Sequence, residues 1–276
     1  MPSREVGTVH LQYEVHGRHG DPLVLIHGSL VDHHAWDAVV GPLSQSLEVL
    51  SYDRRGHGES VGPGRTHPVR NDTEDLAGLL ESLDMMPAHL VAHSYAGAVA
   101  LRLAHDHPEM VRSLALHEPP FVGLLAEDPA SQTEAERSLT EIRALQRRVR
   151  AGDLEGAARD LVGAFSQREG AWDRLPPARR AEFIARAPRW AEELEDPEAL
   201  RPDPQTLREL FHPVLLTTGE LSPPLVRHIA DLLARSLRNV TRRQLPDVGH
   251  APHVTAPLQY VGLLQTFLLE RNVPVS

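Results

Sequence analysis

A serine at a predicted strand-to-helix corner is the strongest chemical signal in this sequence. Ser94 lies in the run Leu90-Val91-Ala92-His93-Ser94-Tyr95-Ala96-Gly97-Ala98, where a short apolar stretch typical of a strand gives way to an Ala-rich stretch typical of a helix. Such a corner, a nucleophile elbow, exposes the hydroxyl for attack on a carbonyl carbon. It requires small residues two positions on either side of the serine, because strand and helix nearly touch there. Ala92 and Ala96 meet this requirement, so the run predicts a nucleophile at Ser94.

Composition limits the class of protein. The chain has 276 residues, 41% of them hydrophobic, which suits one large α/β domain or one domain carrying an insertion. A net charge of −10, without any cluster of basic residues, argues against nucleic acid or an anionic membrane as partner. The absence of cysteine excludes disulfides, thiolate metal sites and cysteine nucleophiles. The first residues lack a basic start and an apolar segment, and no apolar run is long enough to span a bilayer, so we expect a cytoplasmic protein.

Short strand-like runs alternate with helical ones along the chain, which is typical of a mainly parallel sheet with crossover helices. The predicted strands run from Val9 to Val15, Pro22 to Ile26, Leu47 to Tyr52, Ala88 to Ala92, Val111 to Leu116, Pro213 to Thr217 and Val240 to Leu245. The helices predicted between and after them run from Trp36 to Leu47, Asn71 to Asp84, Tyr95 to His105, Pro224 to Leu237 and Pro257 to Glu270.

One segment interrupts this alternation. After Pro120 the chain continues for roughly ninety residues without a convincing strand and is rich in Arg, Glu and Ala. Gly152 ends one of its predicted helices, and Asp153 can cap the next. The sequence therefore predicts a core domain of residues 1–120 and 206–276, and a helical cap of residues 121–205.

Four segments together resemble the α/β-hydrolase family. They are His27-Gly28-Ser29 after the run Pro22 to Ile26, which corresponds to the family's third strand, Asp53-Arg54-Arg55-Gly56-His57-Gly58-Glu59-Ser60, Ala92 to Gly97, and Asp247-Val248-Gly249-His250-Ala251-Pro252 before the last helix. They are similar to that family's oxyanion loop, its D-x-R-G-x-G-x-S segment, its nucleophile elbow and its catalytic-histidine loop. The resemblance covers essentially the whole chain. It implies an α/β fold with a mainly parallel sheet flanked by helices, and a helical cap inserted between strands 6 and 7.

The resemblance implies a base and an acid to accompany the serine. A serine hydroxyl needs a neutral imidazole to take its proton during attack, and His250 is the candidate in the expected loop. His253 is the rival, but Gly249 before His250 and Ala251-Pro252 after it fit the family's loop better.

The predicted acid departs from the family's usual pattern. The acid normally follows the seventh strand in a G-x-x-D segment, but here that segment is Gly219-Glu220-Leu221-Ser222, and a serine cannot carry the charge. Some relatives, including haloalkane-dehalogenase-like enzymes and zearalenone-opening lactone hydrolases, place a glutamate after the sixth strand instead. Glu118, in the run His117-Glu118-Pro119-Pro120, is similar to that residue. We therefore assign Glu118 as the acid; the alternatives are Glu220, or no acid at all.

Acyl transfer also needs donors aimed at the developing oxyanion. The resemblance implies the backbone N–H groups of Ser29 and Tyr95 for this role, with the helix that follows Ser94 adding its positive end. Asp53, Arg54 and His57 are expected to brace the surrounding loops rather than touch substrate.

Substrate selection should come from the helical cap and its neighbours. Six aromatic residues are candidates for lining the pocket, namely Trp36, Phe121, Phe165, Trp172, Phe183 and Trp190. Because no basic cluster marks the cap, we expect a small uncharged, fairly apolar ester or lactone as ligand. No dinucleotide or phosphate-loop motif and no convincing set of metal ligands is found, so we expect neither cofactor nor metal.

The predicted function is that of a cofactor-independent serine hydrolase. Hydrolytic cleavage of a C–C bond in a diketone would use the same triad and is the alternative among enzymes. A ligand sensor or binding protein on the same fold is the alternative outside enzymes, because fold alone does not fix activity. The sequence does not fix the oligomeric state.

Overall fold

A central eight-stranded sheet carries the loops that form the candidate site. The computed structural model describes residues 2–63, 68–166 and 169–269. The strands are β1 (Ser3–Val6), β2 (Val9–His16), β3 (Pro22–Ile26), β4 (Glu48–Tyr52), β5 (Ala88–His93), β6 (Val111–His117), β7 (Val214–Gly219) and β8 (Val240–Leu245). The helices of the core are α1 (Asp37–Leu43), α2 (Pro68–Leu83), α3 (Ala96–Asp106), α10 (Pro224–Ser236), α11 (Pro252–Thr255) and α12 (Pro257–Leu269).

The strand order is β1-β2-β4-β3-β5-β6-β7-β8. The β1–β2 and β2–β4 pairs are antiparallel, and every pair from β4 through β3 to β8 is parallel. The predicted mainly parallel α/β sheet is thereby confirmed. In such a sheet the carboxyl ends of the parallel strands meet at one edge, where ligands bind.

Two apolar layers cover the sheet. The larger buried cluster contains residues of α2, α3 and α10, and the smaller one contains residues of α1 and α12. Strands covered on both faces read as continuous apolar runs, which is why β3 and β5 could be found from the sequence. Among the described residues, no helix is both long and apolar enough to cross a lipid bilayer.

Most predicted elements are present, with shifts at their ends. The four-residue edge strand β1 was not predicted, because its side chains are mostly exposed and show no apolar run. The helix predicted over residues 36–47 is shorter: a 3-10 turn (His33–Trp36) leads into α1, and the chain turns after Leu43 to enter β4 at Glu48. The last predicted helix ends at Glu270, which lies outside the described residues.

In the described part of the segment between β6 and β7, a 3-10 turn (Val122–Glu127) is followed by six helices, as the sequence predicted for a cap in this place. These helices are α4 (Gln132–Arg150), α5 (Leu154–Ser166), α6 (Ala171–Arg174), α7 (Pro177–Glu193), α8 (Pro197–Leu200) and α9 (Pro204–Glu209). The α4–α5 junction is as predicted, because Gly152 adopts a φ of +85° and Asp153 Oδ1 accepts a hydrogen bond from the Gly156 N–H at 3.0 Å. The boundaries of the cap as a separate domain stay a prediction.

Candidate active site

Ser94 occupies a sharp corner between β5 and α3. Its φ of +55° lies in the left-handed region, which is strained for a serine, and its N–H donates to the His117 carbonyl oxygen at 2.9 Å. The oxyanion loop passes close by, since a Cβ on Gly28 would lie 3.2 Å from the Ser94 Cβ and 2.8 Å from His93 Nδ1. Gly97, the second residue of α3, faces Pro119 equally closely, with 2.8 Å from an added Cβ to the Pro119 Cβ. Strand, helix and two loops therefore converge on this serine.

Glu118 and His250 are joined by a hydrogen bond. His250 Nδ1 lies 2.7 Å from Glu118 Oε2, and the other carboxylate oxygen accepts the Gly219 N–H at 2.7 Å. An ionised carboxylate only accepts hydrogen bonds, so the proton of the neutral imidazole is on Nδ1 and Nε2 is free to accept one. His93 Nε2 donates to the His250 carbonyl oxygen at 2.7 Å, which ties the histidine loop to the residue before Ser94.

The environment of Glu118 favours its charged form. Only 2% of the residue is exposed, and burial by itself raises the pKa of a carboxyl. The neighbouring His117 and the hydrogen bond from His250 outweigh burial and hold the pKa of Glu118 at about 2. The buried Ser222 hydroxyl also lies close to this carboxylate and contributes to the same shift. A negative charge is thus permanently present behind the His250 imidazole at neutral pH.

The alternative base, His253, and the alternative acid, Glu220, lie in different environments from His250 and Glu118. His253 is buried, its ring packs 4.5 Å from that of Trp36, and burial lowers its pKa to about 3. Glu220 is exposed, and its Oε2 accepts the Asp247 N–H at 3.1 Å. Neither contact joins a carboxylate to an imidazole.

Backbone strain is concentrated around the site. Among the described residues other than glycine, five have φ between +48° and +65°, and four of them follow β3, β5, β6 or β8. Those four are Leu30, Ser94, Glu118 and Asp247. Each such conformation costs about 1–3 kcal/mol and persists where the surroundings enforce it, which is typical of functional sites.

The two residues predicted to form the oxyanion hole are tied to a buried ionic network. The Ser29 hydroxyl donates a short hydrogen bond to Glu193 Oε2, and the Arg54 guanidinium lies over the Tyr95 ring at 4.6 Å. Arg54 also donates to the carbonyl oxygens of His27 and Gly28, at 2.9 and 3.0 Å. These contacts fit the expected bracing role of Arg54.

The six candidate pocket aromatics lie in different environments. Phe165, on α5, stacks on the His250 ring with centroids 4.6 Å apart and planes 11° from parallel. Trp36 and Phe121 are fully buried in the two core clusters. Trp190 and Phe183 belong to the apolar cluster of the cap helices, and Trp172 lines a cleft at α5 and α6. Phe165 is thus in contact with the predicted base, and the pocket roles of the other five stay predictions.

One group of potential metal ligands lies near the site. Donor atoms of Asp32, His33 and Asp53 lie within 4.8 Å of one another. They are already engaged, because Asp53 Oδ1 accepts from the His33 N–H at 2.9 Å and pairs with His33 Nδ1 at 2.7 Å, while Asp32 binds Arg186. The contacts of this group are those of a loop brace.

Sequence reasoning missed Glu193. This glutamate ends α7, none of its surface is exposed, and it contacts Ser29, Arg54 and His57. A signal was available, because Glu193 follows the buried Trp190 by three positions and so lies near the apolar face of an amphipathic helix.

A model of the alpha/beta hydrolase fold family matches residues 21–257. The chain therefore belongs to the α/β-hydrolase family. Membership of this family supports a hydrolase activity.

Individual relatives carry different chemistries. The chain is 30% identical over 266 residues to 2-hydroxymuconate semialdehyde hydrolase of Pseudomonas sp. (strain CF600), covering 92% of this chain and 88% of that one. It is 38% identical over 104 residues, 38% of this chain, to the dihydrolipoyllysine-residue acetyltransferase component of the acetoin cleaving system of Pseudomonas putida, and spans only 28% of that protein's length. Est816, described as an N-acyl homoserine lactone degrading enzyme, superposes with a TM-score of 0.76 at 25% identity, over 96% of this chain and 100% of Est816.

Proposed function

We propose that this protein is a serine hydrolase that cleaves an uncharged, fairly apolar carboxylic ester or lactone. The Ser94 Oγ attacks the carbonyl carbon, and His250 Nε2 takes the hydroxyl proton and returns it to the leaving alkoxide. Water, activated by the same imidazole, then releases the acyl group from Ser94. Glu118 orients His250 and stabilises its protonated form, and the N–H groups of Ser29 and Tyr95 bind the oxyanion.

The hydrogen bond between Glu118 and His250 is the observation that carries this proposal. A permanently ionised, buried carboxylate 2.7 Å from Nδ1 is what a base needs in order to accept a proton on Nε2. The strained φ of +55° at Ser94 adds support, because such a conformation is kept where function requires it.

The electrostatics of the site support an uncharged substrate. Arg54 lies behind both proposed oxyanion donors, but it is fully buried and pairs with Asp72 and Glu193 at 2.7 Å each. Its charge is therefore not available to a substrate carboxylate. Phe165, flat against His250, offers an apolar wall beside the reacting bond. The similarity to Est816 supports a lactone among the substrates to test.

A second candidate is hydrolysis of a C–C bond in a diketone. The similarity to 2-hydroxymuconate semialdehyde hydrolase, which extends over 92% of this chain, favours it specifically. The same serine, base and acid would serve, with a carbanion rather than an alkoxide as leaving group.

Purified protein should be assayed with p-nitrophenyl esters, a panel of lactones and a vinylogous diketone, and labelled with a fluorescent phosphonate. We expect both turnover of an ester or lactone and labelling by the phosphonate. Both should be lost in Ser94→Ala and kept in Ser46→Ala, a control at an exposed serine. Turnover of the diketone alone would favour the second candidate. Absence of both labelling and turnover would favour a binding or sensor role.

A further inference from the structure

A glutamate of the cap is buried against the core loop that carries a proposed oxyanion donor. Glu193 is the last residue of α7, and no part of its side chain is exposed. One carboxylate oxygen lies 2.7 Å from Arg54 Nη1 and 2.9 Å from His57 Nε2. The other oxygen accepts the hydroxyl hydrogen of Ser29. The cap and the core thus share one charged network at this point.

The network reaches both proposed oxyanion donors. Ser29 is bound directly by Glu193, and Tyr95 packs its ring against the guanidinium that Glu193 holds. The same guanidinium donates to the Gly28 carbonyl oxygen at 3.0 Å, and so fixes the peptide that bears the Ser29 N–H. Removing Glu193 would therefore free the Ser29 hydroxyl. It would also loosen the Arg54 guanidinium, which holds the Gly28–Ser29 peptide and the Tyr95 ring.

Burial of these charges needs a reason other than stability. Taking an ion pair out of water costs about as much as the pair regains, so buried pairs are weak evidence for stabilisation. Burial lowers the pKa of Arg54, but the charges of Glu193 and Asp72 outweigh this effect and raise it, so the guanidinium stays charged. What the network supplies is fixed geometry, since a guanidinium presents its donors in a rigid plane.

Two more side chains of α7 contact the same loops. Arg186 Nη1 donates to the carbonyl oxygen of the strained Leu30 at 3.1 Å, and Arg186 also binds Asp32. Arg189 packs against Gly56, where an added Cβ would lie 2.6 Å from its guanidinium. With Glu193, these residues have the spacing i, i+3, i+7, which places them on one face of the helix. This face of α7 is therefore the surface by which the cap meets the oxyanion loop.

We propose that Glu193 is a positioning residue for catalysis, which completes the oxyanion hole when α7 is seated on the core. The inference rests on the proposed function and deepens it, because it makes the geometry of the hole depend on the cap. A cap that lifts away carries Glu193 with it and leaves Ser29 and Arg54 without the partner that aligns them.

The test compares Glu193→Gln with Glu192→Gln, the neighbouring and largely exposed carboxylate, which pairs with Arg189. Each variant is assayed with an ester and with its thiono analogue, in which sulfur replaces the carbonyl oxygen and accepts hydrogen bonds poorly. We expect Glu193→Gln to lower kcat for the ester roughly 10- to 100-fold, with KM changed less than about threefold. The thionoester, which gains less from the hole, should lose less, so the ratio of ester to thionoester kcat should fall about tenfold. Glu192→Gln should keep the wild-type ratio.

A general structural role for Glu193 gives a different result. It would lower kcat for ester and thionoester equally, and this outcome, or an unchanged kcat in Glu193→Gln, would overturn the proposal. If Glu193→Gln does not fold, Ser29→Ala can be tested instead. It removes the hydrogen bond between the Ser29 hydroxyl and Glu193 and leaves the ion pair between Arg54 and Glu193 intact. It should reduce the same ratio, and an unchanged ratio would count against the inference.

Hydrogen–deuterium exchange separates this inference from the proposed function. Peptides covering residues 28–32 and 54–57 should exchange faster in Glu193→Gln than in Glu192→Gln or wild type. If wild type shows no Ser94-dependent hydrolysis, the proposed function fails, and unchanged exchange in these peptides would then refute the positioning role as well. Faster exchange would still support Glu193 as the residue that orders the loop.

Discussion

Glu118→Gln tests the proposed acid with little change in shape. Glu118 Oε1 accepts the Gly219 N–H, so the amide oxygen of a glutamine will take that place and its NH2 group will face His250 Nδ1. An N–H on Nδ1 and the glutamine NH2 would be two donors facing each other, which form no hydrogen bond. The imidazole must therefore carry its proton on Nε2 instead. In that tautomer His250 cannot accept the Ser94 proton. The substitution therefore removes both the charge and the correct tautomer.

The distance between the two groups sets the size of the effect. At 2.7 Å and an effective dielectric constant of about 20, Coulomb's law gives an attraction of about 6 kcal/mol between the carboxylate and the imidazolium formed in the transition state. Each 1.36 kcal/mol of lost transition-state stabilisation is about tenfold in rate. We therefore expect kcat to fall by about four orders of magnitude, with KM little changed.

Steady-state kinetics on the best ester or lactone substrate provides the measurement. Glu220→Gln is the matched control, since Glu220 is exposed and its carboxylate accepts from a backbone N–H. It should keep kcat within about twofold of wild type, as surface substitutions usually do. Near-wild-type activity in Glu118→Gln together with collapse in Glu220→Gln would refute the assignment. Thermal unfolding of both variants guards against loss through misfolding.

Three further predictions concern acid stability, an aromatic contact and a glycine. Burial lowers the pKa of five histidines well below an ordinary 6.5, so the unfolded chain binds protons that the folded chain does not, and each of the five removes about 1 kcal/mol of unfolding free energy between pH 6.5 and 5.5. The five are His27, His89, His93, His117 and His253. The unfolding free energy measured in urea should thus be several kcal/mol lower at pH 5.5 than at pH 6.5. A urea midpoint that does not change between these pH values would contradict this. Phe165→Leu removes the ring stacked on His250 and should lower kcat/KM by about 2- to 10-fold, while Phe165→Tyr keeps the ring and should keep kcat/KM. Equal kcat/KM values for the two variants would rule out a role for stacking. Gly97→Ala puts a methyl group 2.8 Å from the Pro119 Cβ and should cost about 1–3 kcal/mol, whereas Gly262→Ala, in α12 with open space around the new methyl, should stabilise by roughly 0.5–1 kcal/mol; effects of the same sign in urea unfolding would refute the packing argument.

Local patterns predicted the elements that carry the reacting groups. The apolar runs of β5 and β6 end at polar residues, and parallel strands bring those ends to one edge, so the sequence alone places Ser94 and Glu118 close together. His250 was found by its loop, since nothing in the composition distinguishes it from sixteen other histidines. The assignment of Glu118 over Glu220 came from a resemblance, and the hydrogen bond to His250 now supports it independently.

Contacts between the cap and the core could not be predicted in this way. Phe165 and Glu193 are two residues of a long helical insertion, and their partners lie 85 and 139 positions away in sequence at His250 and Arg54. Which face of each helix meets the core depends on how the cap docks, and local periodicity reports only that a face is apolar. The six aromatic residues illustrate the limit, because the sequence made each of them a candidate for the pocket without indicating which ones face it, and the structure distributes them over several clusters.

On the proposed assignment, the position of the acid follows from the packing around the end of β7. A Cβ on Gly219 would lie 2.3 Å from the Val248 carbonyl oxygen, so the glycine lets the histidine loop fold down over this strand end. That approach brings His250 to the carboxylate that follows β6, one strand away from the family's usual position. An aspartate at position 222 would put a second negative charge close to Glu118, and like charges oppose each other's ionisation. A neutral residue at position 222, here Ser222, is therefore compatible with an acid at position 118, and on this assignment the neighbouring strand supplies the charge that the missing aspartate would have carried.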